Sequence, residues 1–207
     1  MMYRTRTPTG DGYINVQLPT KPYRLFVSGG FDSALLLYLF CKQAQAQELS
    51  TVYVAVVDRG LASVDFAYKV CAWATVKTGI LVNIEVLTIA EDLEHHRQVN
   101  EPASRLHAQN IITVSADTQN PPNVELPGVA PRRIAANSHY DNWHFPFSGV
   151  DKSHTVWLAQ RLDILDDISA ITHTCTETAG LRCGQCWQCS ERAWAFNLLG
   201  YTDIGQY

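Results

Sequence analysis

The sequence predicts an α/β fold with a doubly wound parallel sheet, and the order of its apolar segments carries this prediction. Short apolar runs of strand length alternate with longer segments of helix length in the order β-α-β-α-β-α-β. Helical crossovers between successive strands are typical of a parallel sheet with helices on both faces. The β-branched run at residues 51–57 fits a strand that is buried on both faces.

The elements follow one another along the first three quarters of the chain. Strands are predicted at residues 13–18, 23–27, 51–57, 81–89 and 111–115. Helices are predicted at residues 33–47, 64–77, 91–109 and 151–162. The first strand is expected at the periphery because prolines follow it closely, and Pro102 is expected to break the third helix or to begin a new one. The first turns of the first predicted helix carry apolar residues on nearly all sides, which indicates that this helix is buried against the sheet.

The 207 residues suit one main domain with a small appendage, and 46% of them are hydrophobic, which is enough for a core. We expect residues 1–165 to form the main domain and residues 166–207 to form a small helical C-terminal segment packed on it. Prolines are frequent in the long segment between residues 117 and 149, so long regular elements are not expected there.

The stretch Ser28-Gly29-Gly30-Phe31-Asp32-Ser33 joins a predicted strand to a predicted helix. Two glycines let the backbone approach an anion closely, and the N–H groups at the helix start point at it with a dipole of roughly half a positive charge. The serine hydroxyls add donors. The carboxylate of Asp32 would repel phosphate unless a magnesium ion accompanies it or it caps the helix. The alternative is a plain Gly-Gly turn before a capped helix.

Other polar residues are expected at the same edge of the sheet. Asp58 and Asp117 follow predicted strands, and each could simply form a turn. Lys152 stands one position inside a helix start, which is unfavourable unless an anion offsets its charge, so it either reaches a phosphate or is exposed. The proline-rich segment is interpreted as a substrate-covering segment or as a stiff surface loop. It contains Arg132, Arg133, His139, Trp143 and His144.

The six cysteines divide into two groups. Cys41 and Cys71 are isolated in helical patterns and are expected to be buried and inert. The other four give the pattern C-x7-C-x2-C-x2-C, which matches a closed tetrahedral zinc site; they are Cys175, Cys183, Cys186 and Cys189. Such a site contributes on the order of 10 kcal/mol of folding free energy, which indicates a structural role. An iron–sulfur cluster, four free thiols and His173 as a substitute ligand are the alternatives.

Composition and charge do not favour a nucleic-acid or membrane partner. The net charge of −4 creates no field that attracts nucleic acid, so a nucleic-acid partner is not expected. No apolar run approaches the length of a membrane span, and residues 1–9 lack the apolar core of a signal peptide. A cytoplasmic protein without a membrane partner is therefore expected, and a homodimer stays open.

The motif Ser-Gly-Gly-x-Asp-Ser at residues 28–33 resembles the pyrophosphate-binding loop of the N-type ATP pyrophosphatases. The C-terminal third, with its THTC stretch at 172–175 and its RCGQCWQC stretch at 182–189, resembles the end of the 7-cyano-7-deazaguanine synthase family. The resemblance covers the loop region and the last third of the chain. It extends to the segment around Asp151-Lys152-Ser153, which looks like the one that precedes the cysteines in that family.

The resemblance implies an adenine nucleotide α-hydrolase-like (HUP) sheet and a zinc knuckle behind it. It also implies that ATP adenylates 7-carboxy-7-deazaguanine, that ammonia displaces AMP to give an amide, and that a second activation gives the nitrile, a queuosine precursor. In that scheme Asp32 holds Mg2+ and Lys152 stabilises the pentacovalent phosphorus. Asp117, Arg132 and Arg133 are the candidate substrate contacts.

The middle of the chain departs from the family. An Arg-Asn motif before the fourth sheet strand is not recognisable, and Asp58-Arg59-Gly60-Leu61 replaces a Gln-Arg-His-type segment. An enzyme that stops at the amide, or that acts on another carboxylate, therefore fits the sequence as well. A tRNA-thiolating enzyme with the same loop and a non-catalytic nucleotide-binding subunit are the remaining alternatives.

Overall fold

The computed structural model of the chain describes residues 1–60, 62–89, 97–122, 124–126 and 142–205. Seven strands are described: β1 (Met2–Thr7), β2 (Gly10–Asn15), β3 (Tyr23–Phe26), β4 (Thr51–Asp58), β5 (Leu81–Thr88), β6 (Ile112–Val114) and β7 (Trp143–His144). Six helices are described: α1 (Phe31–Ala46), α2 (Ser63–Thr78), α3 (Arg97–His107), α4 (Lys152–Arg161), α5 (Leu165–Ile171) and α6 (Trp187–Leu199). Among the described residues, no helix is long and apolar enough to cross a membrane.

The central sheet has five strands in the order β5-β4-β3-β6-β7, and every neighbouring pair is parallel. The predicted α/β fold with a parallel sheet is therefore confirmed. The chain runs from β3 outward to β4 and β5, and then returns to place β6 on the other side of β3. This reversal puts a topological switch point between β3 and β6, where the outgoing loops diverge and leave a crevice.

Both faces of the sheet are covered, because alternate residues of one strand belong to two separate cores. Val54 and Val56 of β4 belong to a large core with α1, α2 and α4. Ala55 and Val57 belong to a smaller core with Leu106 of α3 on the opposite face. The sheet is therefore doubly wound, as predicted. Helix α3 runs through Pro102, so the break predicted there is wrong, although the proline deprives the helix of one N–H donor.

The N-terminus forms an antiparallel hairpin of β1 and β2 that sequence analysis found only in part. The predicted strand at residues 13–18 lies at 10–15, and β1 was not predicted. Its side chains alternate: Thr5 and Thr7 are buried, while Arg4 and Arg6 pair with Asp11 at the surface. The buried threonines lie against α4, where Thr5 Oγ1 is 2.8 Å from His154 Nδ1. The hairpin thus covers the beginning of α4.

The C-terminal segment is helical, as predicted, and contains α5 and α6, whose bounds were not predicted. Helix α6 packs on α4, and the centroid of the Phe196 ring lies 5.7 Å from that of Phe31 at the start of α1. Apolar residues of α6 therefore join this segment to the rest of the chain. The boundary at residue 165 stays a prediction.

Gly29 fixes the turn between β3 and α1 against α2. Its φ is +78°, and a Cβ placed there would lie 2.5 Å from Phe66 Cβ and 2.9 Å from the backbone nitrogen of Ala67. The obstacle is largely helix backbone, which cannot rotate away as a flexible side chain can. Any side chain at position 29 therefore separates the turn from α2.

We expect Gly29→Ala to lower the free energy of unfolding by about 2–4 kcal/mol, because a strained φ and a steric clash add. Gly60→Ala is the matched control, since Gly60 has a φ of +74° and nothing within 4 Å of an added Cβ. It should cost only about 1 kcal/mol. Urea unfolding of both variants measures the difference, and equal losses would contradict the packing role of Gly29.

Candidate functional site

A cavity of about 960 Å³ opens at the carboxyl ends of the central strands, at the switch point. Its size suits a nucleotide or a drug-sized ligand. The polar residues that line it come from the β3–α1 turn, from the segment after β4, from the segment after β6, and from α4 and α6. They include Ser28, Gly30, Asp32, Ser33, Arg59, Asp117, Lys152 and Glu191.

The turn at residues 28–33 holds its shape through its two serines. Ser33 Oγ donates to the carbonyl of Gly30 at 2.9 Å and accepts from the backbone N–H of Ser28 at 3.3 Å. Ser28 Oγ accepts from the N–H of Gly30 at 3.3 Å. These hydrogen bonds fix the backbone of the turn at the start of α1. Ser28, Gly30, Asp32 and Ser33 of the turn line the cavity.

The N-terminus of α1 points a partial positive charge into the cavity. Gly30 is the N-cap residue, and it has no side chain that could satisfy the N–H groups of the first turn. The helix has 16 residues and is almost entirely buried, so little solvent screens its dipole. An anion that enters the cavity at this turn would find free donors and a favourable field.

Lys152 connects this turn to the C-terminal segment. Its ammonium group pairs with Asp32 Oδ2 and lies 3.1 Å from Glu191 Oε2. Asp32 Oδ1 in turn accepts a hydrogen bond from Thr155 Oγ1 at 2.7 Å. The two residues predicted to be catalytic, Asp32 and Lys152, are therefore in direct contact. Only 4% of Lys152 is exposed, so the alternative of an exposed lysine is wrong.

The charge of Lys152 is stabilised where it lies. Burial alone would lower the pKa of Lys152, but the carboxylates of Asp32 and Glu191 outweigh burial and raise that pKa above its usual value. The lysine is thus a fixed cation at the start of α4. The anion that offsets its position at a helix N-terminus is supplied by two carboxylates of the chain itself.

The other predicted contacts lie in different places. Asp117 lines the cavity and accepts from Ser115 Oγ at 2.7 Å. Asp58 accepts from the N–H of Gly60 at 3.0 Å, so it acts as a turn residue. From the proline-rich segment, Trp143 lines the cavity and stacks on Phe145 with the ring centroids 5.3 Å apart. Arg132, Arg133 and His139 lie outside the described residues.

The four cysteines of the C-terminal segment come together as one cluster, with all sulfurs within 4.8 Å of one another. Tetrahedral ligands 2.3 Å from zinc lie about 3.8 Å apart, and the sulfurs of Cys175 and Cys186 are 3.9 Å apart. The cluster could therefore hold a metal ion such as zinc. His173 is not part of it, because its Nε2 lies 2.7 Å from the carbonyl of Thr178.

The surroundings of the cluster shift the pKa values of Cys175 and Cys189 in opposite directions. Burial alone would raise the pKa of Cys175, but donors to its sulfur, led by the Thr178 hydroxyl, lower that pKa to about 5. Burial and the neighbouring thiols raise the pKa of Cys189. A bound cation would favour the thiolate form of every cysteine in the cluster, since metal coordination deprotonates thiols.

The cysteine cluster is attached directly to the glycine turn. The N–H of His173 donates to the carbonyl of Gly29 at 3.0 Å, two residues before Cys175. The imidazole of His173 also stacks on Phe66, the α2 residue that packs under Gly29. Cys175 itself lines the cavity. The cluster and the turn are therefore two walls of one site.

A buried charge network fixes the end of the chain beside α6. The fully buried guanidinium of Arg192 donates to both carboxylate oxygens of Asp203 at 2.9 Å, and Arg182 pairs with the same carboxylate. Burial alone would raise the pKa of Asp203, but the two arginines lower it to about 2. Arg192 also donates to Thr172 and Thr174, which precede the first cysteine. The network therefore holds the cysteine segment in place.

Sequence reasoning missed two groups of site residues. Glu191 follows the last cysteine and carries no local signal, because its partner Lys152 is 39 positions away in the printed sequence. The side chains of Asn100, Ser104 and His107 recur on one face of α3 and line the cavity. Their helical spacing could have indicated a common face, but the sequence alone did not show that the cavity lies opposite them.

Comparison with known proteins returns no family model that matches this chain and no matching curated protein. Its own geometry is therefore the basis for assigning a function.

We expect Lys152→Met to lower the free energy of unfolding by about 3–5 kcal/mol, since it leaves two buried carboxylates without their cation. Lys21→Met at an exposed position should change it by less than about 0.5 kcal/mol. Combining Lys152→Met with Glu191→Gln should cost less than the sum of the single changes, because the second removes an unpaired charge. If urea unfolding shows that the losses of unfolding free energy from the two single changes simply add, the contact of Lys152 with Asp32 and Glu191 is contradicted.

We expect the purified protein to carry one zinc ion per chain, measured by elemental analysis. Cys186→Ser removes one of four sulfurs and should weaken zinc binding on the order of a hundredfold. Cys71→Ala, in the core of α2, is the control that should keep the metal. If elemental analysis finds iron and the protein absorbs in the visible range, the site holds an iron–sulfur cluster and not zinc. A metal-free wild-type protein would contradict the site altogether.

Proposed function

We propose that this chain is an ATP-dependent enzyme that activates a carboxylate as its adenylate, releasing pyrophosphate, and then transfers the acyl group to ammonia. The observation that supports the proposal is the glycine turn at the N-terminus of α1, which opens into the large cavity at the switch point. A turn of this kind suits the pyrophosphate end of ATP. By resemblance, the acid is 7-carboxy-7-deazaguanine and the product is the amide or the nitrile.

In the first step, an oxygen of the carboxylate attacks the α-phosphorus of ATP. The bond from that phosphorus to the oxygen bridging to the β-phosphate breaks, and pyrophosphate leaves with the electron pair. The N–H groups at the start of α1, which have no side-chain cap, and the hydroxyl of Ser28 would bind the departing pyrophosphate and stabilise its growing charge. The turn needs no rearrangement to do this, because its serines already hold its backbone in place.

In the second step, ammonia attacks the acyl carbon, AMP leaves, and a proton is lost to give the amide. Nitrile formation would need a second ATP to adenylate the amide oxygen, followed by loss of AMP and a proton. The adenylate is already activated, so this half of the reaction depends mostly on positioning. The aromatic wall of Trp143 and Phe145 offers a flat surface against which a heterocyclic acid could stack.

Lys152 and Asp32 would interact with the nucleotide from the cavity wall. Asp32 offers carboxylate oxygens, the ligand type that Mg2+ prefers, and the ion when bound would neutralise phosphate charge. Lys152 holds Asp32 in position and presents a permanent cation beside it. The cysteine cluster would have a structural role, since it supports the turn through His173 and positions Glu191 on α6.

Sulfur transfer is a second candidate, favoured by the single observation that Cys175 lines the cavity. In that case the activated group would be a nucleobase oxygen of RNA, and a thiol or an iron–sulfur cluster would be needed for the chemistry. The negative net charge of the chain does not favour an RNA partner. A zinc-loaded protein that keeps its turnover after alkylation of free thiols would speak against this candidate.

We expect the purified protein, given ATP, Mg2+, ammonium and 7-carboxy-7-deazaguanine, to produce AMP and pyrophosphate together with the amide or the nitrile, as measured by mass spectrometry. Asp32→Asn should lower kcat/KM on the order of a hundredfold or more, because it removes a charge from the nucleotide site. Lys21→Met should keep the wild-type rate. Formation of ADP, or full activity of Asp32→Asn, would contradict the proposal.

A further inference from the structure

The two cationic side chains that line the cavity among the described residues differ in their surroundings. Lys152 lies between the carboxylates of Asp32 and Glu191, so its charge is already balanced. Arg59 also lines the cavity, and its guanidinium has no ion pair or hydrogen bond within the described part of the chain. It is a half-buried cation that faces a ligand-sized space without a partner.

The local turn keeps the neighbouring carboxylate away from Arg59. Asp58 precedes it directly, but Asp58 Oδ1 accepts from the N–H of Gly60 at 3.0 Å and closes the turn. The backbone N–H of Arg59 donates to Ser63 Oγ at 3.3 Å, which ties the turn to the beginning of α2. These two hydrogen bonds therefore fix the backbone at Arg59 and at the residue that follows it.

Burial without an opposing charge is unfavourable for a cation. Burial lowers the pKa of Arg59, and none of the carboxylates among the described residues offsets this effect. Arginine nevertheless stays protonated in proteins, so the side chain keeps its charge in the cavity. A planar guanidinium with five N–H donors binds phosphate or carboxylate in a bidentate manner, and such a ligand would balance the charge.

Arg59 lies close to the glycine turn because their strands are neighbours. Strands β3 and β4 are adjacent and parallel, with Phe26 opposite Ala55. The N–H of Val27 donates to the carbonyl of Ala55 at 3.0 Å, so the two strands leave the sheet side by side. Neighbouring strands are about 4.8 Å apart, which puts both anion-binding groups within the span of one nucleotide.

We propose that Arg59 forms a second oxyanion subsite in this cavity, beside the turn at residues 28–33, and that it binds a phosphate or carboxylate group. This inference rests on the proposed function only for the identity of the ligand. In that reaction the turn takes the departing pyrophosphate, and Arg59 takes either the α-phosphate of the nucleotide or the carboxylate of the acceptor acid.

The test compares Arg59→Gln, which removes the charge, with Arg59→Lys, which keeps it, in the full-length protein. Arg161→Gln on exposed α4 surface is the matched control. The probes are AMP, inorganic pyrophosphate and 7-carboxy-7-deazaguanine. Tryptophan fluorescence reports binding, since Trp143 and Trp187 both line the cavity. Thermal unfolding monitored by circular dichroism verifies that each variant is folded.

We expect Arg59→Gln to weaken one probe about ten- to a hundredfold, as for a lost charge-assisted hydrogen bond, and to leave pyrophosphate within about twofold of the wild type. A loss confined to AMP assigns the subsite to the α-phosphate, and a loss confined to the acid assigns it to the carboxylate. Arg59→Lys should recover part of the loss, and Arg161→Gln should bind all three probes as the wild type does.

Wild-type affinity of Arg59→Gln for both AMP and the acid would overturn the inference, and so would an equal loss for pyrophosphate. The proposed function can fail separately. The wild-type protein would then bind AMP through Arg59 and yet release no pyrophosphate from ATP in the presence of the acid and ammonium.

Discussion

The contact of Lys152 with Asp32 and Glu191 is the interaction on which the site depends. One buried ammonium group joins the turn after β3, the beginning of α4 and the helix that follows the cysteines. Burying charged groups is unfavourable unless they are paired, so both carboxylates require the ammonium group of Lys152. This requirement brings the C-terminal segment onto the carboxyl edge of the sheet, where it becomes a wall of the cavity.

The segment that carries the cysteine cluster is hydrogen-bonded to the glycine turn. His173 binds the carbonyl of Gly29 two residues before the first cysteine, and Arg192 holds the same segment through its threonines. Metal at the cysteines would therefore stabilise the turn from behind without taking part in the chemistry. The same arrangement leaves Arg59 on a different wall, where no carboxylate of the described chain balances it.

Local signals predicted the sheet and the composition of the site well. Glycines, serines and short apolar runs act through neighbouring residues, so the turn at residues 28–33 and the four cysteines were found from sequence spacing. The hairpin strand β1 was missed because its alternation of threonine and arginine is short and polar. A helical C-terminal segment was predicted, but the bounds of α5 and α6 were not.

The sequence by itself determined the parallel α/β fold, the glycine turn between a strand and a helix, and the grouping of the cysteines, because each depends on residues close together in the chain. Only the tertiary structure decided that Lys152 pairs with Asp32 and Glu191, that the cysteines adjoin the turn, and that Arg59 lines the cavity with no ion pair to any residue in the described ranges. These are contacts between distant segments, and their partners are chosen by packing and by the cost of burying charge, which no local pattern records.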